Sequence, residues 1–294
     1  MLKPDLSIIV PIYNEKEGLD ETIRELVRLL DADNNFECIL VNDGSDDGTE
    51  QILNQLQKDR FSVLNHARNQ GYGRAIKTGI EASSSDYIAI TDADTTYPVH
   101  RLPEMLNITL ERRLDMLVGA RTGPKIYIPL LRRPAKWMLT KLANYLTMQE
   151  IPDINSGLRI MKKDVVEQFT NILPDGFSLS TTITLAMLTN KFQVDYLPIN
   201  YAKRDGKSKI RPLRDTLNFI KLILRTILYF DPLRIFVPAS LIFFLGACLT
   251  FAYRVISGGG FMVTTVLLFV LAVQLLSVGL LADLIVKRLL TAPK

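Results

Sequence analysis

The sequence predicts a mostly parallel α/β sheet, followed by an interfacial helix and a membrane-crossing helical hairpin. Three observations carry this expectation. Short apolar runs of strand character alternate with segments whose apolar residues recur at helical spacing, from Leu6 through Val118. Such alternation means parallel strands joined by right-handed helical crossovers in a doubly wound sheet. Clusters of Asp, Asn and Gly follow the strand-like runs, and ligands of open α/β sheets bind beyond the carboxyl ends of the strands. Finally, two long uncharged apolar runs stand near the C-terminus. The expected partition is 1–210 for the α/β domain, 211–231 for an amphipathic juxtamembrane helix, and 232–294 for the hairpin with a short tail.

The elements follow in order. Leu6–Ile12 reads as the first strand, and Leu19–Leu30 as a helix with Leu19, Ile23, Leu26, Val27 and Leu30 on one face. Phe36–Val41 is the second strand, Thr49–Gln57 a helix capped from Asp46 or Asp47, and Phe61–Leu64 the third strand. Ala75–Ala82 is helical and Tyr87–Thr91 is the fourth strand. Beyond Met116–Val118 the pattern loosens. Arg132–Leu146 and Leu179–Leu188 look helical, while Leu158–Met161 and Val194–Ile199 look extended. Pro212–Phe230 reads as an amphipathic helix whose cationic face lies on a bilayer.

Ile235–Tyr253 is nineteen residues without a charge, and Phe261–Ala282 is twenty-two. A helix of nineteen residues spans roughly 28 Å, close to the hydrocarbon thickness of a membrane. The link Arg254–Gly260 is short enough for a hairpin, so both outer ends lie on one side. Eight basic residues and only two acids occupy 203–225, and Lys287-Arg288 follows the second run. The positive-inside rule puts that side, and the first 230 or so residues, in the cytosol. The formal net charge of +4 is too mild to suggest nucleic acid as a partner. Cys38 and Cys248 lie in segments of opposite character and do not suggest a disulfide. The apolar run Leu6–Ile12 is short, ends at Asn14-Glu15, and does not read as a signal peptide.

The candidate site residues gather at the strand ends. Asp92-Ala93-Asp94 directly follows the fourth strand. Two carboxylates so close repel unless a cation or donor groups compensate them. A hard divalent ion holding a diphosphate is one such compensation. Asp43, in Asn42-Asp43-Gly44-Ser45-Asp46-Asp47-Gly48-Thr49, is placed to accept from a ribose or base, while Asp47 reads rather as a turn or cap residue. In Asn69-Gln70-Gly71-Tyr72-Gly73-Arg74, the glycines are expected to let backbone approach a ligand, with Arg74 and Lys77 neutralising phosphate. Gly71-x-Gly73 lacks the third glycine of a dinucleotide fingerprint and does not follow the first strand.

Taken in order, Pro-x-Tyr-Asn-Glu, Asn-Asp-Gly-Ser-x-Asp-Gly-Thr, Gly-x-Gly-x-Ala and Asp-Ala-Asp resemble glycosyltransferase family 2 with its GT-A fold. Asp153-Ile154-Asn155-Ser156-Gly157-Leu158-Arg159 and Lys203-Arg204-Asp205-Gly206-Lys207-Ser208-Lys209 are similar to the polyprenol-phosphate sugar transferases, the dolichol-phosphate mannose synthase group. The paired C-terminal runs match the bacterial members. The resemblance implies that Pro11, Tyr13, Glu15 and Asp43 hold the nucleoside. It gives Asp92 and Asp94 the ribose, diphosphate and a Mg2+ or Mn2+ ion, with Asp94 the principal ligand. Arg121 would face the sugar-phosphate, and Arg204 and Lys209 would clamp the diphosphate or the lipid phosphate. Where the mannose synthase form carries a metal-binding glutamine, this chain has Thr96, a poorer ligand that acts through water. That departure favours a UDP-sugar over GDP-mannose as donor.

The implied reaction is inverting transfer of one sugar from a nucleotide-sugar to a polyprenyl phosphate at the membrane. The acceptor is anionic at neutral pH and needs no strong base. His66 and His100, the only histidines, sit in no recognised cluster. Asp153 stays open as a base, a sugar-hydroxyl acceptor or a turn residue, and Trp137 as a wall for the acceptor or a packing residue. A processive polysaccharide synthase and a non-catalytic nucleotide-sugar-binding partner are the alternatives, and a homo-oligomer stays open. No Gln-x-x-Arg-Trp is present, which speaks against the first.

Overall fold

The computed structural model describes residues 3–32, 35–56, 60–122, 140–141, 143–145, 147–176, 178–201, 220–221, 223–225, 227–259 and 263–291. The chain divides into two units, 1–219 and 220–294.

The first unit is built on a seven-stranded sheet: β1 (Leu6–Ile12), β2 (Phe36–Asn42), β3 (Ser62–Asn65), β4 (Tyr87–Ile90), β5 (Met116–Ala120), β6 (Arg159–Lys162) and β7 (Val194–Pro198). Their order is β3-β2-β1-β4-β6-β5-β7. β1, β2, β3 and β4 run parallel, β6 runs antiparallel to both β4 and β5, and β7 is parallel to β5. The mostly parallel sheet read from the sequence is therefore present, with β6 as its one reversed strand. The chain moves from β1 outward to β3 and then returns to the other side of β1 for β4. The crevice between the carboxyl ends of β1 and β4 is thus a topological switch point, where such sheets bind ligands.

β1 is buried along its whole length, as a central strand covered on both faces must be. Leu6, Ile8, Val10 and Ile12 join the core with Leu19, Ile23 and Leu26 of α1 (Leu19–Ala32). Ile9 points the other way, toward α3 (Tyr72–Ala82), where a Cβ on Gly79 would come within 2.4 Å of the Ile9 Cγ2. That close approach seats α3 on the sheet and aims its first turn at the end of β4. The helix begins at Tyr72, three residues before the expected Ala75, because Gly71 turns the chain with φ of +106°. α2 (Thr49–Asn54) is shorter than expected. α4 (Leu102–Glu111) and α5 (Lys163–Phe169) were not anticipated, although Pro103 in the first turn of α4 is a helix-start signal. α6 (Leu179–Thr189) is buried on nearly every side. Most of the helix expected at Arg132–Leu146, with Trp137, lies outside the described residues, as does the greater part of Pro212–Phe230.

The second unit holds α7 (Leu233–Ile256) and α8 (Val263–Thr291). Both are long and apolar enough to cross a membrane. They pack antiparallel. The Ser240 hydroxyl donates to the Ala272 carbonyl at 2.8 Å, and the Thr265 and Thr250 hydroxyls meet at 3.0 Å. A Cβ on Gly279 would lie 2.5 Å from that of Phe236. Small residues and hydroxyls at the contact are what helix association in lipid requires. Ile242, Leu249, Leu267 and Leu281 stand outward and exposed, which suits a hydrocarbon surround rather than water.

Candidate active site

On one side of the crevice, the loops after β1 and β2 are stitched together by polar groups. Asn14 takes a left-handed conformation, φ +54°. Its N–H donates to Ser45 Oγ at 3.1 Å, its side-chain amide donates to Asp46 Oδ1 at 2.7 Å, and its Oδ1 accepts the Asp46 N–H at 3.0 Å. The Glu15 N–H donates to Thr49 Oγ1 and the Lys16 N–H to Asp47 Oδ2. Asp47 also accepts the N–H and hydroxyl of Thr49, at 2.9 and 2.6 Å. Asp47, expected to cap α2, makes these loop contacts instead, and the residue preceding α2 is Gly48, with no side-chain cap hydrogen bond. Tyr13 projects from the stitched loops, 45% exposed, while Pro11 is buried behind it.

Asp43 is 2% exposed, and both its oxygens already have protein donors. Oδ1 accepts the Gln70 N–H at 2.9 Å and faces His66 Nδ1 at 2.7 Å, and Oδ2 accepts the Gly71 N–H at 2.8 Å. His66, dismissed from the sequence, sits between Asp43 and the Thr78 hydroxyl at 3.0 Å. The carboxylate expected to meet the nucleoside therefore holds the 69–71 loop in place. The only sequence signal for this pairing was a histidine directly after β3, where register brings Asn65 opposite Asn42.

The glycines of that loop also differ from expectation. A Cβ on Gly71 would come 2.5 Å from the Asp175 carbonyl oxygen, and one on Gly73 2.2 Å from that of Pro174. The backbone they admit is the protein's own 174–176 segment. Lys77, expected at a donor phosphate, is buried, and its ammonium donates to the Leu173 carbonyl at 2.5 Å and the Asp175 carboxylate at 2.8 Å. Burial leaves a lysine no cheap alternative to such partners. Arg74, in the first turn of α3, is partly exposed and 3.7 Å from Glu81.

The acidic turn follows β4. The Tyr72 hydroxyl donates to Asp92 Oδ1 at 3.0 Å. On the other side a Cβ at Gly157 would lie only 2.8 Å from Asp92 Oδ2, so backbone without a side chain abuts the carboxylate. Asp94 Oδ1 accepts the Thr96 hydroxyl at 2.5 Å and the Thr96 N–H at 3.2 Å. Thr96 is buried, and both its hydroxyl and its N–H serve Asp94. Between them Thr95 is left-handed, φ +56°, a strained conformation for a β-branched residue. Burial, followed by the nearby Asp92 charge, pushes the Tyr72 phenol well above its ordinary range, so it stays a hydrogen-bond donor.

Arg121, at the end of β5, meets Asp153 in a bidentate pair: Nε to Oδ2 at 2.7 Å and Nη2 to Oδ1 at 2.9 Å. Its own N–H also reaches Asp153 Oδ2 at 3.0 Å, and Nη2 donates to the Asn155 carbonyl at 3.0 Å. Nη1 has no hydrogen-bond partner among the described residues. Burial works to raise the Asp153 carboxyl, but the Arg121 hydrogen bonds and charge, with the Arg121 and Asn155 N–H groups, outweigh it and hold the group below the ordinary carboxylate range. A carboxylate so stabilised is a weak base. The guanidinium lies over the Tyr201 ring, 5.2 Å from its centroid, and Tyr201 packs edge-on against Tyr97 at 5.1 Å. The Tyr97 hydroxyl accepts the Gly157 N–H at 2.7 Å. Tyr97 thus links the acidic turn to the Arg121–Asp153 pair, a role the sequence reading did not give it.

Among the described residues no group of three or more His, Cys, Asp or Glu gathers to hold a metal. Arg204 and Lys209 lie outside the described residues.

Comparison with known proteins finds two matching families. The profile of glycosyl transferase family 2 matches residues 7–170, and that of the GtrB C-terminal hairpin matches 231–287. The chain is 26% identical over 209 residues to the dolichyl-phosphate hexose transferase of Haloferax volcanii, covering 71% of this chain and 87% of that one. It is 30% identical over 175 residues to the prophage bactoprenol glucosyl transferase homolog of Escherichia coli, covering 58% and 56%. The chain spans about half the length of several relatives, 54% of one hexosyltransferase and 56% of the bactoprenol protein. The glucosyl-3-phosphoglycerate synthase of Mycobacterium tuberculosis, solved with Mn2+, uridine diphosphate and phosphoglyceric acid, superposes with a TM-score of 0.59. It is 17% identical over 76% of this chain and 78% of that one, a likeness of fold, the GT-A arrangement. With a family profile that spans more than half of its residues, the chain belongs to glycosyltransferase family 2.

Proposed function

We propose that the protein transfers a single sugar from a nucleoside-diphosphate sugar to a polyprenyl phosphate, with inversion, at the cytoplasmic face of a membrane. The observation that carries this reading is the joining of the Asp92–Asp94 turn to the Arg121–Asp153 pair through Tyr97 and Gly157, at the switch point of the sheet. The hexose- and glucosyl-transfer names of the relatives, and the two apolar helices, support a lipid-linked acceptor.

The residues fit a divalent cation, Mg2+ or Mn2+. Two carboxylates leave most of a hard ion's oxygen shell to a diphosphate and water, and the Gly157 backbone, without a side chain, lies against Asp92. When bound, the ion offsets the charge that develops on the diphosphate. Asp94 is its principal holder and Asp92 its second. Pro11, Tyr13 and Glu15 border the nucleoside, with Asp43 fixing the Gly71 loop beside it. Arg121 offers the two N–H groups of Nη1 to the sugar-phosphate, while Asp153 keeps its guanidinium plane fixed. Arg204 and Lys209 supply further cations for phosphate. The acceptor's phosphate oxygen forms the bond to the anomeric carbon from the face opposite the leaving diphosphate. The anomeric carbon–oxygen bond to the donor breaks, and its electron pair leaves with the nucleoside diphosphate. No proton need be removed, which suits the weak basicity of Asp153. A UDP-sugar is the favoured donor, with GDP-mannose the competitor.

Membranes containing the protein, given radiolabelled nucleotide-sugars and undecaprenyl phosphate, are expected to yield one labelled sugar per extracted lipid. Label that stays wholly in the aqueous phase for every donor, or lipids bearing several sugars, would overturn the reading.

A further inference from the structure

Arg159 is the largest fully buried side chain in the described part of the molecule. It is a guanidinium in the middle of a sheet, and its hydrogen-bond partners are neutral. Nη1 donates to the Ser180 carbonyl and the Thr184 hydroxyl, each at 3.0 Å, and lies 3.8 Å from the Met116 sulfur. Nη2 donates to the Ser156 carbonyl. Nε has no partner among the described residues. No carboxylate forms an ion pair with it there. A buried cation hydrogen-bonded only to neutral acceptors is less stable than an apolar side chain of the same shape. Packing alone does not account for it.

Its position suggests what it does. In register Arg159 stands opposite Ile90 on β4 and Val118 on β5. Residues paired across a ladder share a face, so Arg159 lies on the same face as Ile90, two residues before Asp92. The group that its Nη2 holds is the carbonyl of Ser156, and the next residue is Gly157. The same turn is also held by the Ser156 hydroxyl, which donates to the Gly119 carbonyl at 2.5 Å. Gly157 is the residue whose backbone abuts the Asp92 carboxylate and donates to Tyr97.

We propose that Arg159 is a positioning residue for the acidic pair. By holding the Ser156-Gly157 turn it sets the orientation of the Asp92 carboxylate toward a divalent cation and a diphosphate. This deepens the transferase reading and rests on it. It differs from a role in folding alone because the effect passes through one turn to one carboxylate.

The test is calorimetric titration of the full-length protein in detergent with Mn2+ and UDP, repeated with GDP, for the wild type, Arg159→Met, Arg159→Lys and Gly157→Ala. Circular dichroism and Tm establish that each variant is folded. Groups that orient metal ligands typically contribute about 10- to 100-fold in affinity, and that is the weakening expected for Arg159→Met. Arg159→Lys should recover part of it, because an ammonium can still reach the Ser156 carbonyl. Gly157→Ala should weaken binding with Arg159 intact, and adding Arg159→Met to it should cost little more, since both act on one contact. A folded Arg159→Met that binds Mn2+ and UDP as the wild type does, even with a lowered Tm, overturns the proposal. So do fully additive effects of the two substitutions, and so does a wild type that binds neither nucleotide with Mn2+. A wild type that binds them but transfers no sugar sinks the transferase reading alone.

Discussion

The two halves of the sheet are made of different material. From β3 to β4 every strand is parallel, and the strand faces carry Leu, Ile and Val against an aliphatic stripe of α1. From β4 to β7 the sheet is mixed, and its interior holds Arg159, Asp153, Ser156, Ser180, Thr181 and Thr184. Hydrophobic burial is non-directional and suits a platform. Buried polar groups demand specific partners and fix orientation, which suits a site. The difference teaches that the β3-to-β4 half, with Asp43, His66 and Lys77 as its buried polar exceptions, supplies mainly rigidity, and that the β4-to-β7 half aims Arg121 and Asp153. Substitutions in the β3-to-β4 half should therefore lower stability with activity per folded molecule kept, while those in the other half should lower activity, with stability falling as well where a buried charge loses its partner.

The largest effect is expected where the halves meet. Asp94→Asn removes the negative charge proposed to hold the cation but keeps the shape that accepts the two Thr96 donors. Transfer should fall by at least about 100-fold, the scale of losing one preorganised electrostatic group, with Tm nearly unchanged. Turnover within a few-fold of the wild type, still dependent on added metal, would remove Asp94 from the mechanism.

Next comes the Arg121–Asp153 pair, which breaks the comparison if it proves dispensable. Asp153 is 6% exposed, and Asp153→Ala would leave a largely buried guanidinium unpaired. Losing one partner of a buried pair costs about 3–5 kcal/mol, so a clear loss of stability in denaturant titration is expected, together with lost activity. The pH dependence has a definite sign. The folded-state value lies below that of an unfolded Asp, near 3.9. The contribution of Asp153 is therefore complete above about pH 4 and disappears as pH falls toward and through the lower folded value. Asp153→Asn should flatten the acid limb of the stability curve in that window. A limb as steep as that of the wild type would assign the acid sensitivity elsewhere.

The same difference explains what was legible in the sequence. Strand β1 and helix α1 follow simple periods, and their bounds were found almost to the residue. The acidic turn, Arg121 and Asp153 were also visible as motifs. The pairing of Arg121 with Asp153, the seat of Lys77 on the 173–175 segment and the partnership of His66 with Asp43 were not. Each joins residues distant in the chain, and no local period encodes it. The reversal of β6 was hidden for a related reason: its segment reads as extended whichever way it runs, and direction depends on the path of 121–158.

Gly79→Ala sharpens the comparison from the platform side. The added methyl would meet Ile9 Cγ2 at 2.4 Å and push α3 from β1. Overpacking of this kind costs about 1–3 kcal/mol. Activity per folded molecule should change little as long as the first turn of α3 keeps the Tyr72 hydroxyl on Asp92. A collapse of activity without loss of stability would show that α3, through the Tyr72 hydroxyl on Asp92, transmits the displacement.

The smallest effect belongs to Thr95, and it tests whether the site side gives up stability for aim. Its left-handed backbone, φ +56°, places a branched side chain where Asn is tolerated far better. Its hydroxyl donates to the Asp94 carbonyl at 2.7 Å, which offsets only part of that strain. Strain of this type amounts to about 1–3 kcal/mol, and one neutral hydrogen bond to about 1 kcal/mol. Thr95→Asn relieves the first, and its amide can replace the second. A gain on the order of 1 kcal/mol is expected, a rise in Tm of roughly 2–4 °C for a domain of this size. Turnover should fall at the same time, because the strained turn is what presents Asp94 beside Asp92. A Tm that rises with turnover unchanged would mean that the strain does nothing for the site. A Tm that does not rise would mean that the turn is not strained, and the contrast between a relaxed platform and a strained site would then rest on the buried charges alone.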